Sequence, residues 1–330
     1  MRKPRVVVVT GASAGAGRAA ALEFARHGAH VALIARDAQA LEHAADDVRK
    51  LGVKALPIAL DVSTSGALDQ AATRIEATLG PIDVWVNDAM VTTFAALTDM
   101  SEDEFRRVTD VTYLGYVWGT MAALKHMLPR NRGVIVQVGS ALAYRSIPLQ
   151  SAYCGAKHAI RGFTDSLRCE LRHMKSRVHV TMVQMPALNT PQFDWARCAM
   201  PHAPRPVAPI YEPEVAARAI RWAALHRRRE LWVGASSIKA IVANQIVPGW
   251  LDAYLGRTGY RAQQDKSWPA DHGPGNLWEP VGGLHRVHGR FESEAKPVSA
   301  SFWADTHRKL LAGAALTLGA CIVRGLRRRG

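Results

Sequence analysis

The chain has 330 residues, 48% of them apolar, enough for a sizeable core and too few for three ordinary domains. Its formal net charge of +14 suits anionic partners such as nucleotide phosphates or a lipid surface. No helix-turn-helix, zinc-finger spacing or aromatic RNA-binding motif accompanies that charge, which argues against nucleic acid. Cys154, Cys169, Cys198 and Cys321 form no C-x-x-C pair and no metal-like spacing, so free thiols of a cytoplasmic protein are expected and no metal is.

In chain order, Val6–Val9 reads as a buried first strand. Its apolar run stops at Thr10 and Gly11, too short for a secretory signal. A helix is expected from about Arg18 to His27, ended by Gly28, then a strand at Val31–Ala35. Ala38–Leu51 reads as a helix closed by Gly52, followed by strands at Leu56–Leu60 and Ile82–Val86. Ser101 and Glu104 form S-x-x-E, a capping box opening a long helix towards Leu128. Val134–Val138 is a fifth strand, Ser151–Met174 a long helix and Val178–Val183 a sixth strand. Glu214–Leu225 is helical and Leu231–Gly234 a short last strand. Strands apolar throughout and separated by helices imply an α/β fold, a doubly wound parallel sheet covered on both faces. Ligands of such sheets bind beyond the carboxyl ends of the strands.

This core is expected over 1–258. Residues 259–303 are rich in proline and glycine and read as an irregular linker, although Trp268, Trp278 and Trp303 suggest local docking. Residues 304–330 hold an uncharged stretch, Leu310 to Val323, between basic residues. At about 1.5 Å per residue it falls short of a ~30 Å hydrocarbon core. Burial against protein, including a second copy of the chain, and attachment to the inner face of a membrane are both left open.

Two motifs carry chemistry. The first is the turn TGASAGAG after the first strand, with Gly11, Ser13, Gly15, Ala16 and Gly17. Glycines there let backbone approach a diphosphate, and the next helix offers free N–H groups and the positive end of its dipole. The second is the ordered set Ser140, Tyr153 and Lys157. Tyr153 and Lys157, four apart, share a helical face. An ammonium beside a phenol favours the phenolate, so the pair suits proton transfer near neutral pH. Ser140, just past the fifth strand, is placed to donate to a substrate carbonyl oxygen.

The spacing T-G-x-x-x-G-x-G together with Ser140, Tyr153 and Lys157 resembles the short-chain dehydrogenase/reductase family over roughly residues 4–235 and a helix after Ser237. The resemblance implies a Rossmann-like fold, reversible carbonyl–alcohol interconversion, a nicotinamide cofactor and a dimer or tetramer. It implies that Asp61 and Val62 contact adenine, with Asn87, Ala89, Pro186 and Thr190 also at the cofactor. Lys157 is implied to hold the nicotinamide ribose. The second strand ends at Ala35 and Arg36, without the carboxylate that would select NAD. A guanidinium can pair with a 2′-phosphate, so NADP(H) is expected, with Asp37 as the competing acid. Three departures stand out. Thr112 replaces the asparagine implied to position a relay water; Met90 ends Asn87-Asp88-Ala89-Met90 where a glycine is usual; and Ala187 follows Pro186. Thr112, Met90 and the basic tail motivate an alternative, a weakly active binding module or membrane-attached scaffold. The prolines and aromatics of 187–211 suggest an apolar substrate. His285 and His288 look too isolated for a metal site.

Overall fold

The computed structural model describes residues 5–283, 285–308, 310 and 311. Seven strands form one parallel sheet: β1 (Val6–Thr10), β2 (His30–Ala35), β3 (Ala55–Ala59), β4 (Val84–Asn87), β5 (Val134–Ser140), β6 (His179–Met185) and β7 (Glu230–Trp232). Their order is β3-β2-β1-β4-β5-β6-β7. The chain builds one half outwards from β1 and then crosses to β4 to build the other. A crevice therefore opens between the carboxyl ends of β1 and β4.

β1 is buried throughout because its alternating side chains feed two cores. Val7 and Val9 join the layer of helices α1 (Gly15–Arg26), α2 (Ala38–Arg49) and α8 (Pro213–Leu225). Val6 and Val8 join the layer of α3 (Ala67–Leu79), α4 (Glu102–Thr109), α5 (Gly115–Met127) and α6 (Ser151–His173). Each such side chain removed from water stabilises the fold by about 1.5–3 kcal/mol. The capping box forms as expected: Glu104 N donates to Ser101 Oγ, and Ser101 N donates to the Glu104 carboxylate. The expected long helix is interrupted by a π-turn at Asp110–Leu114, which holds Thr112. Such turns collect at functional sites because they re-aim side chains.

Later elements differ more from expectation. After the short α7 (Gln192–Trp195) and α8, helices continue into α9 (Ala235–Ile246) and α10 (Pro248–Ala262), so the helical region passes residue 258. Residues 264–297 do not stand off as a linker. Gln264–Pro269 pairs antiparallel with His202–Pro204, and Lys296 bridges to Tyr211. Phe291 is buried against Phe193 with ring centroids 6.1 Å apart. Apolar anchors and backbone pairing thus replace the regular structure that proline and glycine prevent. The expected C-terminal helix at 304–330 is met only by the end of a short helix, Ala300–Thr306, and residues 312–330 lie outside the described residues. No helix among the described residues is long and apolar enough to cross a membrane. Cys154, Cys169 and Cys198 are free thiols.

Candidate active site

One cavity of about 570 Å³ occupies the crevice and runs on beneath α9 and α10. Gly11, Ser13, Gly15, Ala16, Arg36, Asp61 and Val62 line one end. Ser140, Tyr153, Lys157 and Pro186 line the rest, while Ala89 and Thr190 lie against the glycine turn, where a Cβ on Gly11 would stand 2.9 Å from Ala89 Cα and one on Gly15 3.2 Å from Thr190 Cβ. The structure therefore brings the glycine turn and the Ser–Tyr–Lys set into a single site, although 123 positions separate Gly17 from Ser140 in the chain. Met90 also lines this cavity and does not close it.

Helix α1 opens with no side-chain cap and no acidic residue in its first turn, leaving its positive end for an anion. Gly17 serves the turn from behind: a Cβ there would lie 2.2 Å from Gly11 O. Asn87 also sits behind the wall. It is buried, accepts from Trp85 Nε1 at 2.8 Å and donates to Gln137 Oε1 at 2.9 Å, tying β4 to β5. The expected contact of Asn87 with cofactor is thus replaced by a buried network, because its amide is consumed between strands.

The lysine is fully buried and finds its partners away from the tyrosine hydroxyl. Lys157 Nζ donates to Val138 O at 2.8 Å and to Tyr116 Oη at 3.0 Å, and lies 5.5 Å from the Tyr153 ring centroid. Burial lowers the Lys157 pKa to about 8, opposed by the nearby Asp88 carboxylate. Burial raises Asp88 to about 6, opposed by Lys157. Burial also pushes Tyr153 above its ordinary value, with a hydrogen bond to Ser140 acting the other way. Ser140 Oγ accepts from Leu142 N at 3.1 Å, which leaves its proton free to donate. Asp88 and Tyr116 were missed in the sequence reading. Asp88 sat in a motif position noted only for Met90. Tyr116 lies one helical turn after Thr112, and only the fold turns it towards Lys157.

Thr112 is buried in the π-turn and does not line the cavity. Its hydroxyl donates to Val91 O at 2.8 Å and accepts from Val91 N at 3.1 Å. Its one proton is spent on backbone beside Met90, so it shapes the cavity wall.

At the opposite end, Asp61 accepts from Ser63 N and Oγ and pairs with Arg107, a partner without a sequence signal. Those bonds hold its pKa down against burial. Asp37 caps α2 through Ala40 N at 2.9 Å and lies 3.1 Å from His285. Neither histidine is isolated: His288 Nε2 approaches Glu214 to 3.0 Å and Glu212 to 3.7 Å. Arg36 is lowered in pKa chiefly by burial, and its guanidinium donates to three backbone carbonyls at 276–278.

These residues fit a dinucleotide: an uncapped helix start over a glycine turn, a cation after β2, an apolar wall at Val62, and a proton donor with an ammonium at the far end. Comparisons agree. The model of the short chain dehydrogenase family matches residues 5–197. An uncharacterized oxidoreductase of Bacillus subtilis, YxnA, is 30% identical over 96% of this chain and 89% of its own length. Of several further curated relatives, the chain spans only about half the length. An alcohol dehydrogenase of the archaeon Thermococcus sibiricus, complexed with 5-hydroxy-NADP, superposes with a TM-score of 0.59 at 26% identity, covering 69% of this chain and 95% of that one. A metagenomic short-chain oxidoreductase in complex with NADP gives 0.58 at 28% identity, covering 69% and 96%. The chain belongs to the short-chain dehydrogenase family. It is an NAD(P)-dependent oxidoreductase acting on a small-molecule substrate.

Proposed function

We propose that this protein interconverts an apolar ketone or aldehyde and its alcohol, using NADP(H), with Tyr153 as the acid/base and Ser140 as the substrate clamp. The convergence of Ser140, Tyr153 and Lys157 on the cavity that holds the glycine turn carries this reading. When bound, the reduced nicotinamide supplies hydride to the carbonyl carbon. Ser140 donates a hydrogen bond to the carbonyl oxygen and holds it beside Tyr153. Tyr153, kept protonated by burial, gives its proton to that oxygen, and oxidation runs the same path backwards. Lys157 remains largely an ammonium near neutral pH despite its lowered pKa, and it supplies positive charge to the phenolate that forms.

Arg36 after β2, with Ala35 in place of a carboxylate, supports NADP(H) over NAD(H). An apolar substrate is supported by Leu142, Ile147, Phe193, Val207, Leu251 and Leu255, which line the cavity beyond Tyr153. A homo-oligomer belongs to the same reading, with Phe105 on α4 and Met121 on α5 exposed as contact candidates. Membrane attachment through 310–323 rests on sequence alone. Purified protein is expected to change absorbance at 340 nm with NADPH and hydrophobic ketones or aldehydes, and Tyr153→Phe is expected to abolish that change. Turnover that survives Tyr153→Phe sinks the mechanism.

A further inference from the structure

Two stretches of the C-terminal segment border the crevice, with Asn276 and His285 lining its cavity, and occupy groups on its wall. The first is Gly275–Trp278. Arg36 Nη2 donates to Asn276 O at 2.5 Å and Nη1 to Trp278 O at 2.7 Å. Arg107 Nε donates to Leu277 O at 2.8 Å, and its guanidinium lies 5.7 Å from the Trp278 ring centroid. The Leu277 side chain is completely buried in the apolar cluster that contains Val62, Val91 and Val111. The stretch is seated tightly. Gly275 has φ +57°, and a Cβ on it would stand 2.3 Å from Trp195 O. Asn276 N donates to that same carbonyl at 2.8 Å.

The second stretch runs from His285 to Gly289. Gly15 N, in the phosphate turn, donates to Arg286 O at 3.0 Å. Arg18 Nη1 donates to His285 O at 2.7 Å. The His285 ring packs 5.4 Å from Trp195. Arg286 and Arg290 both pair with Asp194, and His288 pairs with Glu214.

The partners of this strap decide its meaning. A strap serving only stability would satisfy its carbonyls on any convenient surface donor. This one takes the guanidinium after β2, an N–H of the glycine turn and the apolar wall beside Val62. Those are the groups available for a 2′-phosphate, a diphosphate and a base. A donor already bonded to a carbonyl cannot also serve a phosphate at full strength.

We propose that residues 275–278 and 285–289 are an internal competitor of the cofactor: the dinucleotide binds molecules in which this strap has left Arg36 and Gly15. The proposal rests on the NADP(H) reading only in giving Arg36 to the 2′-phosphate. The apparent dissociation constant then equals the intrinsic one divided by the fraction of open molecules. Apolar burial of Leu277 and the ion pairs at Asp194 hold the closed form. Binding of the dinucleotide to the open form releases it.

The test compares the full chain with its Leu277→Gly/Trp278→Gly variant, titrated with NADPH and with NADH. If the strap is open about one-tenth of the time, the variant binds both nucleotides about tenfold more tightly. Affinity that is unchanged or weaker overturns the competitor. The unmutated protein gives an independent readout by hydrogen exchange. Adding NADPH is expected to speed exchange at the amides of Asn276 and Leu277, whereas slower exchange means a clasp over the cofactor and refutes the proposal. The NADPH-to-NADH ratio in the open variant reports on Arg36 separately. A ratio near one defeats the phosphate assignment while leaving the strap intact. Failure of both nucleotides to bind either protein defeats both.

Discussion

The two ends of the crevice are built in opposite ways. At the Tyr153 end, the reacting groups are held by the core itself. Lys157 is fixed by a helix and a strand that the sheet brings together. At the Arg36 end, the binding groups are held by chain from 240 to 242 residues away, which crosses from another part of the molecule. Chemistry is thus placed on rigid elements, where a small displacement would cost rate, and access is placed on an irregular segment that the fold can release. A site in which both ends were rigid would bind its cofactor more readily and would lack this control.

The sharpest way to break that contrast is at the rigid end. Lys157→Met keeps much of the buried volume and removes the charge. General acid–base catalysis is worth about 10²–10⁴-fold, so kcat/KM is expected to fall by about 10³-fold. Affinity for NADPH, measured by titration, is expected to change far less, because the strap at the other end sets access. A comparable loss in binding would show that the two ends are not separate.

A smaller effect is expected at Thr112, which belongs to the rigid end without touching the cavity. Thr112→Val replaces the hydroxyl by a methyl group of similar size and leaves the buried Val91 N–H and C=O unpaired. Leaving a buried polar group unsatisfied costs about 1–3 kcal/mol. The variant is expected to show a lower denaturation midpoint, and Thr112→Ser is expected to recover most of it. Equal stability of the valine and serine variants would mean that the π-turn holds Val91 without the hydroxyl.

This same contrast explains what could be read in the chain. β1 to β7 and most helices were legible, because most of them bury an apolar run bounded by glycine or a cap. The Ser140, Tyr153 and Lys157 set was legible because local spacing fixes it on one strand end and one helix. Helices α3, α7 and α10 have no such signal in the sequence analysis. Asp88, Tyr116 and Arg107 were missed because their meaning lies in contacts across the fold: Lys157 meets Tyr116 from 41 positions away. The strap was illegible for a physical reason of the same kind. A proline- and glycine-rich stretch has no periodicity, and only Leu277 entering a core cluster and carbonyls meeting Arg36 give it a place.

The smallest expected effect concerns pH. Asp88 has its folded pKa raised from 3.8 to about 6. Between those values the folded state holds a proton that the unfolded state has released, so stability falls as pH rises through that window. Lys157 has its folded pKa lowered from 10.5 to about 8. Between 8 and 10.5 the unfolded state holds the extra proton, so stability rises with pH there. Asp88→Asn removes the acidic window. Relative to the parent, the variant is expected to gain stability above about pH 6 and to match it below about pH 4, the gain being reduced because Lys157 loses its carboxylate. That same loss drives the Lys157 pKa lower still, so the alkaline limb of carbonyl reduction should move to lower pH. Denaturation midpoints from pH 4 to 9 and a pH–rate profile check both. An alkaline limb that stays in place would show that Asp88 does not act on the lysine, and the rigid end would then rest on Tyr116 and Val138 alone.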